Sequence, residues 1–112
     1  MSTGTDDSHR HRAETLRAAM AGYTAITEAA LRTGVAARAA GGPPVAEPYD
    51  DLARQIGDAF YRVTDAEVDA VRAATGSDKA AFEIVMSACV GAGLARWDAA
   101  ARVIAEATDA PT

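Results

Sequence analysis

The segment GGPP at residues 41–44 is the strongest single constraint on how this chain can fold. Two glycines end a helix readily, and two prolines prevent the helix from resuming, because proline lacks a backbone N–H and its ring clashes with the preceding turn. Apolar residues on both sides of the break recur at three- and four-residue spacing. No part of the chain alternates apolar and polar residues as a β-strand does. The sequence therefore predicts an all-α fold.

One amphipathic helix is predicted before the break, beginning at Arg12 or Ala13. Two courses are open for its C-terminal part: it continues through residue 40, or it kinks at Gly34. The apolar stripe expected on this helix consists of Leu16, Met20, Tyr23, Thr27, Ala30 and Leu31.

The first two helices after the break have clear start and stop signals. One begins near Pro48, since proline suits the first helical position. Thr64 and Glu67 form a capping box, in which each side chain bonds the other residue's backbone N–H, and they start the next helix. Gly76 ends it. The positions expected to be buried on these two helices are Leu52, Ile56, Ala59, Phe60, Val68 and Val71.

A further helix is capped by Ser77 or Asp78 and leads into SACVGAGLA, residues 87–95. Small residues let two helix backbones approach closely, and Gly91 and Gly93 are expected to bend or break the helix. The stripe expected to be buried before the glycines is Phe82, Val85, Met86, Cys89 and Val90. A final helix carries Trp97, Ala100, Val103 and Ile104.

A chain of 112 residues is expected to form one domain, with a disordered polar tail at residues 1–11, a helical domain at 12–107 and a short tail at 108–112. Apolar residues make up 49% of the chain, but aromatic residues make up only 5%. Much of the apolar fraction is alanine. Each helix thus offers little apolar area, which favours association of several copies. We expect a homo-oligomer.

The net charge of −5, with no basic patch, argues against nucleic acid as a partner. The chain has no uninterrupted apolar run of about 20 residues and no signal-peptide core, so we expect no membrane span and a cytoplasmic protein. The single cysteine excludes an internal disulfide.

Few residues suit nucleophilic or metal chemistry. Cys89, the only thiol, is interpreted mainly as a small core residue. His9 and His11 both stand in the polar N-terminal tail, and their role is open. Without a cluster of cysteine and histidine or a phosphate-binding glycine loop, no metal or cofactor is predicted.

Tyr61, Glu83 and Arg96 are the candidate catalytic residues. Tyr61 stands at a helix junction, and a bend at the glycines would bring Glu83 and Arg96 together. Such a pair is interpreted either as a structural ion pair or as the two poles of a site for a small organic acid.

The stretch VTDAEVDAVRAATGSDKAAFEIVMSACVGAG, within a match over about residues 31–105, resembles the carboxymuconolactone decarboxylase family. The resemblance implies the alkylhydroperoxidase-D-like fold, a bundle of about five to six helices, assembled as a trimer or hexamer. The peroxidase branch of that family carries C-x-x-C-x-x-x-H. Tyr61, Thr64 and Val68 stand at those three positions here, so the resemblance implies a degenerate peroxidase motif.

Three functions remain open from the sequence. The first is a non-redox oligomeric member of the fold that binds a small molecule or a partner protein. The second is a decarboxylase or lyase acting on a small organic acid through Tyr61, Glu83 and Arg96. The third is a thiol-dependent antioxidant peroxidase that uses Cys89 or a partner's thiol.

Overall fold

The computed structural model describes residues 10–16, 18 and 25–109. Residues 10–16 and 18 are helical and form α1. The other elements, in chain order, are α2 (Ala29–Ala39), α3 (Tyr49–Ala59), a 3₁₀ helix (Phe60–Arg62), α4 (Asp65–Thr75) and α5 (Asp78–Asp109). No strand occurs in these described ranges, so the predicted all-α class is confirmed.

The predicted helix boundaries between residues 40 and 80 are confirmed. α2 ends just before GGPP, and Pro48 is the residue before α3. The capping box of α4 forms as predicted: the Glu67 backbone N–H donates to Thr64 Oγ1 at 3.2 Å, and the Thr64 backbone N–H donates to Glu67 Oε1 at 3.0 Å. Gly76 ends α4 in the left-handed conformation, with φ of 86°. Caps of this kind each contribute about 1 kcal/mol to helix stability.

The core lies where α2, α3 and α4 pack against the first half of α5. Leu52, Ile84, Val35 and Val71 are the largest fully buried side chains. Around them the core is built mainly from alanine, and its further members are Ala39, Ala53, Ile56, Ala81, Ala88 and Ala92. With so few large side chains, the core depends on close contact between helix backbones.

Gly91 on α5 and Gly57 on α3 make that close contact with α2. A Cβ atom at Gly91 would lie 2.2 Å from the Ala36 carbonyl oxygen, and one at Gly57 would lie 2.2 Å from the Ala39 carbonyl oxygen. The prediction that the small-residue run lets backbones approach is therefore correct at Gly91. The predicted bend is wrong: α5 runs unbroken through both glycines, and the separate final helix is its second half.

The predicted buried face of α5 is also wrong. Phe82 and Met86 are 63% and 43% exposed, and Cys89 is exposed, while Val85 and Val90 are half-buried. The face that meets the core instead carries Ala81, Ile84, Ala88, Gly91 and Ala92. Close approach to α2 selects the side of α5 with the smallest residues, and this turns the bulkier apolar side chains outward. Phe60, the first residue of the 3₁₀ helix that follows α3, is likewise 67% exposed instead of buried.

The first predicted helix is not one element. Residues 25–28 lie outside any helix and separate α1 from α2, and α2 passes through Gly34 without a break. α1 includes Arg10, two residues before the predicted start, and Leu16 is 49% exposed. The predicted positions Met20 and Tyr23, the residues of the N-terminal tail up to His9, and residues 110–112 lie outside the described residues.

Candidate functional site

A polar network centred on Glu83 joins α5 to the segment that precedes α2. The Glu83 carboxylate accepts hydrogen bonds from the backbone N–H groups of Ile26 and Thr27, at 3.1 and 2.9 Å, and from the Thr27 hydroxyl at 2.7 Å. Arg32, which is only 2% exposed, donates to the Thr27 carbonyl and, at 3.0 Å, to the Thr27 hydroxyl. The network explains why the first helix is interrupted, since the N–H groups of Ile26 and Thr27 bond to a side chain on another helix.

A second network fixes the GGPP turn. Asp50 Oδ1 accepts from Arg38 Nε at 2.8 Å and from the Val45 backbone N–H at 3.0 Å. Arg38 also donates to the Gly42 carbonyl at 3.1 Å. Both ends of the turn are thus tied to the helices on either side of it.

Hydrogen bonds lower the pKa of both central carboxyl groups. The Thr27 hydroxyl is the largest cause at Glu83, where the two backbone N–H groups and the Arg32 charge add to it and partial desolvation opposes it. At Asp50 the pKa is lowered mainly by the Val45 N–H, then by Arg38, again against desolvation. Both carboxyl groups are therefore held ionised as structural acceptors, which is the opposite of what a general acid at neutral pH requires.

Stability is expected to fall in acid because of these two groups. A carboxyl group whose pKa is lowered in the folded state stabilises the fold above its unfolded-state pKa, about 4, and loses that contribution as the pH falls through the lower folded-state value. Urea midpoints measured from pH 7 to pH 3 should thus decrease below about pH 4. Glu83→Gln and Asp50→Asn should each flatten the decrease, whereas Glu106→Gln, which alters an exposed acid on α5, should not. Equal slopes in all four proteins would contradict the assignment.

Three acidic side chains also cluster at the start of α3. Ligand atoms of Glu47, Asp50 and Asp51 lie within 4.8 Å of one another. Each is already engaged: Asp50 as described, Asp51 with Arg54 Nη2 at 3.3 Å, and Glu47 with the Asp51 N–H at 3.2 Å. The cluster forms part of the α3 N-terminus, where acidic side chains are favoured by the helix dipole.

The three predicted catalytic residues lie in three different places. Tyr61 is on the 3₁₀ helix, 78% exposed, with its ring edge-on to Phe60 at a centroid distance of 6.2 Å. Glu83 is in the network with Thr27. Arg96 donates to the Gly57 carbonyl at 2.9 Å. Since α5 is unbroken, the thirteen residues from Glu83 to Arg96 span about 20 Å, so the expected pair does not form.

The feature that sequence reasoning missed is an exposed apolar stripe along α5. We define the α5 stripe as Phe82, Met86, Cys89, Gly93, Trp97, Ala100 and Ile104, all of which are exposed. At 100° per residue these positions share one side of the helix, opposite the side that carries Ile84 and Ala88. The sequence does contain a signal for this orientation. Positions 98, 102 and 106 hold charged residues and lie on the same side of the helix as Ile84 and Ala88, so the apolar side chains of the second half lie on the opposite side.

A cleft of about 260 Å³ lies between α1 and α5, lined by Arg12, Ala13, Leu16, Leu94 and Trp97. Small-molecule sites usually occupy roughly 300–1,000 Å³. Leu16 and Trp97 are 49% and 42% exposed, so the cleft lies at the surface. It contains none of Tyr61, Glu83 and Arg96.

Comparisons with protein-family models, with curated proteins and with solved structures found no match. The resemblance to the carboxymuconolactone decarboxylase family therefore stays a prediction.

Proposed function

We propose that this chain is a non-catalytic helical binding module that docks on a protein partner through the α5 stripe. This develops the first of the three functions open from the sequence, a non-redox protein that binds a partner. The proposal depends on the composition and exposure of α5.

The single observation that carries it is the second half of α5. Every residue from 96 to 108 is exposed, yet this segment is amphipathic. Trp97, Val103 and Ile104 are 42%, 63% and 65% exposed, while Asp98 and Arg102 lie on the other side of the helix. Apolar side chains repeated along one exposed face of a helix indicate a partner.

The first half of α5 extends the same surface. Phe82, Met86 and Cys89 lie on the back of the packed segment, in line with the apolar side chains of the outer half. From Phe82 to Ile104 the α5 stripe spans 23 residues of helix, and its two ends are about 33 Å apart. A surface of that length is suited to a second helix.

The catalytic alternatives are less well supported by the geometry. The decarboxylase hypothesis needs Tyr61, Glu83 and Arg96 to act on one substrate, and they lie apart. The exposure of Cys89 favours the thiol hypothesis, because a peroxide could reach the sulfur. However, the positions one helical turn away from it, 85, 86, 92 and 93, hold Val, Met, Ala and Gly, and none of these can activate a thiol.

A lipid bilayer is the main competitor for the α5 stripe. Asp78–Thr108 is long and apolar enough to cross a membrane, with a mean hydropathy of 1.2 in its most apolar window, of which 39% is buried inside the protein. A buried core helix passes the same test. Two polar side chains of this helix bond to other segments of the chain: Glu83 to Thr27 and Arg96 to the Gly57 carbonyl. These bonds favour packing within a protein over burial in a bilayer.

Photo-crosslinking tests the proposal. The photoreactive amino acid benzoylphenylalanine would replace Ala100 on the α5 stripe and, as the matched control, Ala99, an exposed alanine 100° away around the helix. Irradiation in the producing cells should give a defined protein–protein adduct from position 100 and none from position 99.

The result that would overturn the proposal is an absence of protein adducts from position 100 in a chain that remains helical by circular dichroism. Sedimentation of the purified chain with vesicles of phosphatidylcholine and phosphatidylglycerol supplies the second arm. Binding to vesicles that Ile104→Asp abolishes, together with no protein adduct, would assign the stripe to lipid.

A further inference from the structure

We infer that the partner is a second copy of this chain, with the two α5 helices antiparallel and the twofold axis at Gly93. The inference rests on the proposed docking function of the α5 stripe and names its partner. It follows from the order, size and charge of the residues along that stripe.

The spacing of the α5 stripe is symmetric about Gly93. The other positions lie four, seven and eleven residues away on both sides, and the pairs are Cys89 with Trp97, Met86 with Ala100, and Phe82 with Ile104. A twofold interface requires that if residue i contacts residue j of the other copy, residue j contacts residue i in return. Two antiparallel α5 helices centred on Gly93 satisfy that condition at every position of the stripe.

Side-chain sizes complement one another in this register. Trp97 faces the small Cys89 of the other copy, Met86 faces Ala100, and the two Gly93 residues face each other. A parallel pair would set Trp97 against Trp97 and Phe82 against Phe82, with gaps at Gly93 and Ala100 between them. Interfaces pack as densely as protein interiors, which favours the antiparallel register. The helix dipoles also oppose each other in that register.

Within the part of the chain that the structure describes, no contact requires glycine at position 93. A Cβ atom there would meet nothing within 4 Å, in contrast to Gly91 two residues earlier. Glycine weakens a helix interior relative to alanine. At the axis, however, it would let two helix backbones approach closely, and this gives the residue a use.

The antiparallel arrangement covers residues 96–108, all of which are exposed in the single chain. Residues 96–108 of one copy would lie along residues 78–90 of the other, so each outer half packs on the back of a helix already held in a folded core. No stripe residue is Asp, Glu, Lys or Arg, while Asp98, Arg102 and Glu106 would stay in water on the opposite side.

The area is sufficient for a specific dimer. With Phe82 63%, Met86 43%, Trp97 42% and Ile104 65% exposed, the stripe offers on the order of 400 Å² of large apolar side chain per copy. Contact between the stripes of two copies, including their alanine and cysteine residues, removes on the order of 1,000 Å² of surface from water. This is the lower bound for a specific interface.

Disulfide trapping tests the register. Cys89→Ala with Gly93→Cys should give a disulfide-linked dimer under mild oxidation, and Trp97→Cys beside the native Cys89 should give dimers linked between positions 89 and 97. Two controls should stay unlinked. One is Cys89→Ala with Ala99→Cys, 120° around the helix from Gly93. The other is the native chain, whose two Cys89 residues would lie about 12 Å apart along the axis, too far for a disulfide.

Light scattering on the reduced proteins gives the assembly state. The native chain, 11.5 kDa, should run as a dimer or an even multiple of it. Gly93→Asp should weaken association about a hundredfold by placing two carboxylates at the axis, whereas Ala99→Asp should not.

Two results would overturn this inference without touching the docking function: a monomer whose position-100 adduct is a different protein, or a trimer, since a twofold contact gives even numbers. A disulfide between two native Cys89 residues would overturn the antiparallel register. Loss of all protein adducts from position 100 overturns both proposals.

Discussion

Gly91→Ala is expected to lower the free energy of unfolding by about 3 kcal/mol or more. The new Cβ atom would lie 2.2 Å from the Ala36 carbonyl oxygen and 2.6 Å from the Ala36 Cα. Both are backbone atoms, so no side-chain rotation relieves the clash, and α2 and α5 must separate along the core. Urea denaturation followed by far-ultraviolet circular dichroism measures the loss.

Gly93→Ala is the matched control, on the same helix and two residues away. It meets open space, and replacing glycine by alanine in a helix interior raises stability by about 1 kcal/mol. Because Gly93 is in the proposed interface, both variants should be measured at decreasing protein concentrations until the midpoint stops changing. Equal effects of the two substitutions would refute the close contact of Gly91 with Ala36.

Ile84→Ala should cost about 3–4 kcal/mol, while Phe82→Ala should cost less than about 1 kcal/mol in the dissociated chain. Ile84 is fully buried and Phe82 is 63% exposed. Removing a buried isoleucine side chain loses its transfer free energy and leaves a cavity, whereas an exposed phenylalanine makes few contacts to lose. Thermal and urea unfolding of the two variants, at concentrations too low for assembly, give the comparison.

A larger loss of stability in Phe82→Ala than in Ile84→Ala would contradict the structure. It would indicate that Phe82 lies in the core, as the apolar pattern predicts. Measuring the same variants at higher protein concentration tests the proposed interface as well. Phe82→Ala should then lose stability relative to the native chain, because the native stripe gains a partner and the variant stripe gains less.

Local signals predicted the helix boundaries between residues 40 and 80 well. The GGPP break, the Thr64–Glu67 box and Gly76 act through bonds within a few residues, so the sequence contains all of their determinants. The orientation of α5 was not predictable in the same way. Both of its faces are apolar, one small and one bulky, and only the approach of α2 to Gly91 decides which of them is buried.

The predicted pairing of Glu83 with Arg96 was wrong for a related reason. Glu83 and Arg96 were expected to meet because two glycines were interpreted as a bend, but α5 continues through both glycines as one helix. The partners that Glu83 does have, Ile26 and Thr27, are more than fifty residues away in sequence. Nothing in the spacing of those residues signals the contact.

The unbroken course of α5 has a consequence for how its outer half becomes ordered. Starting a helix is the unfavourable step, and each residue added afterwards costs little. Residues 78–95 are already helical because the core holds them, so residues 96–108 elongate an existing helix and need no nucleus of their own. A partner that meets this segment therefore binds a helix that is partly preformed, and less ordering free energy opposes the encounter.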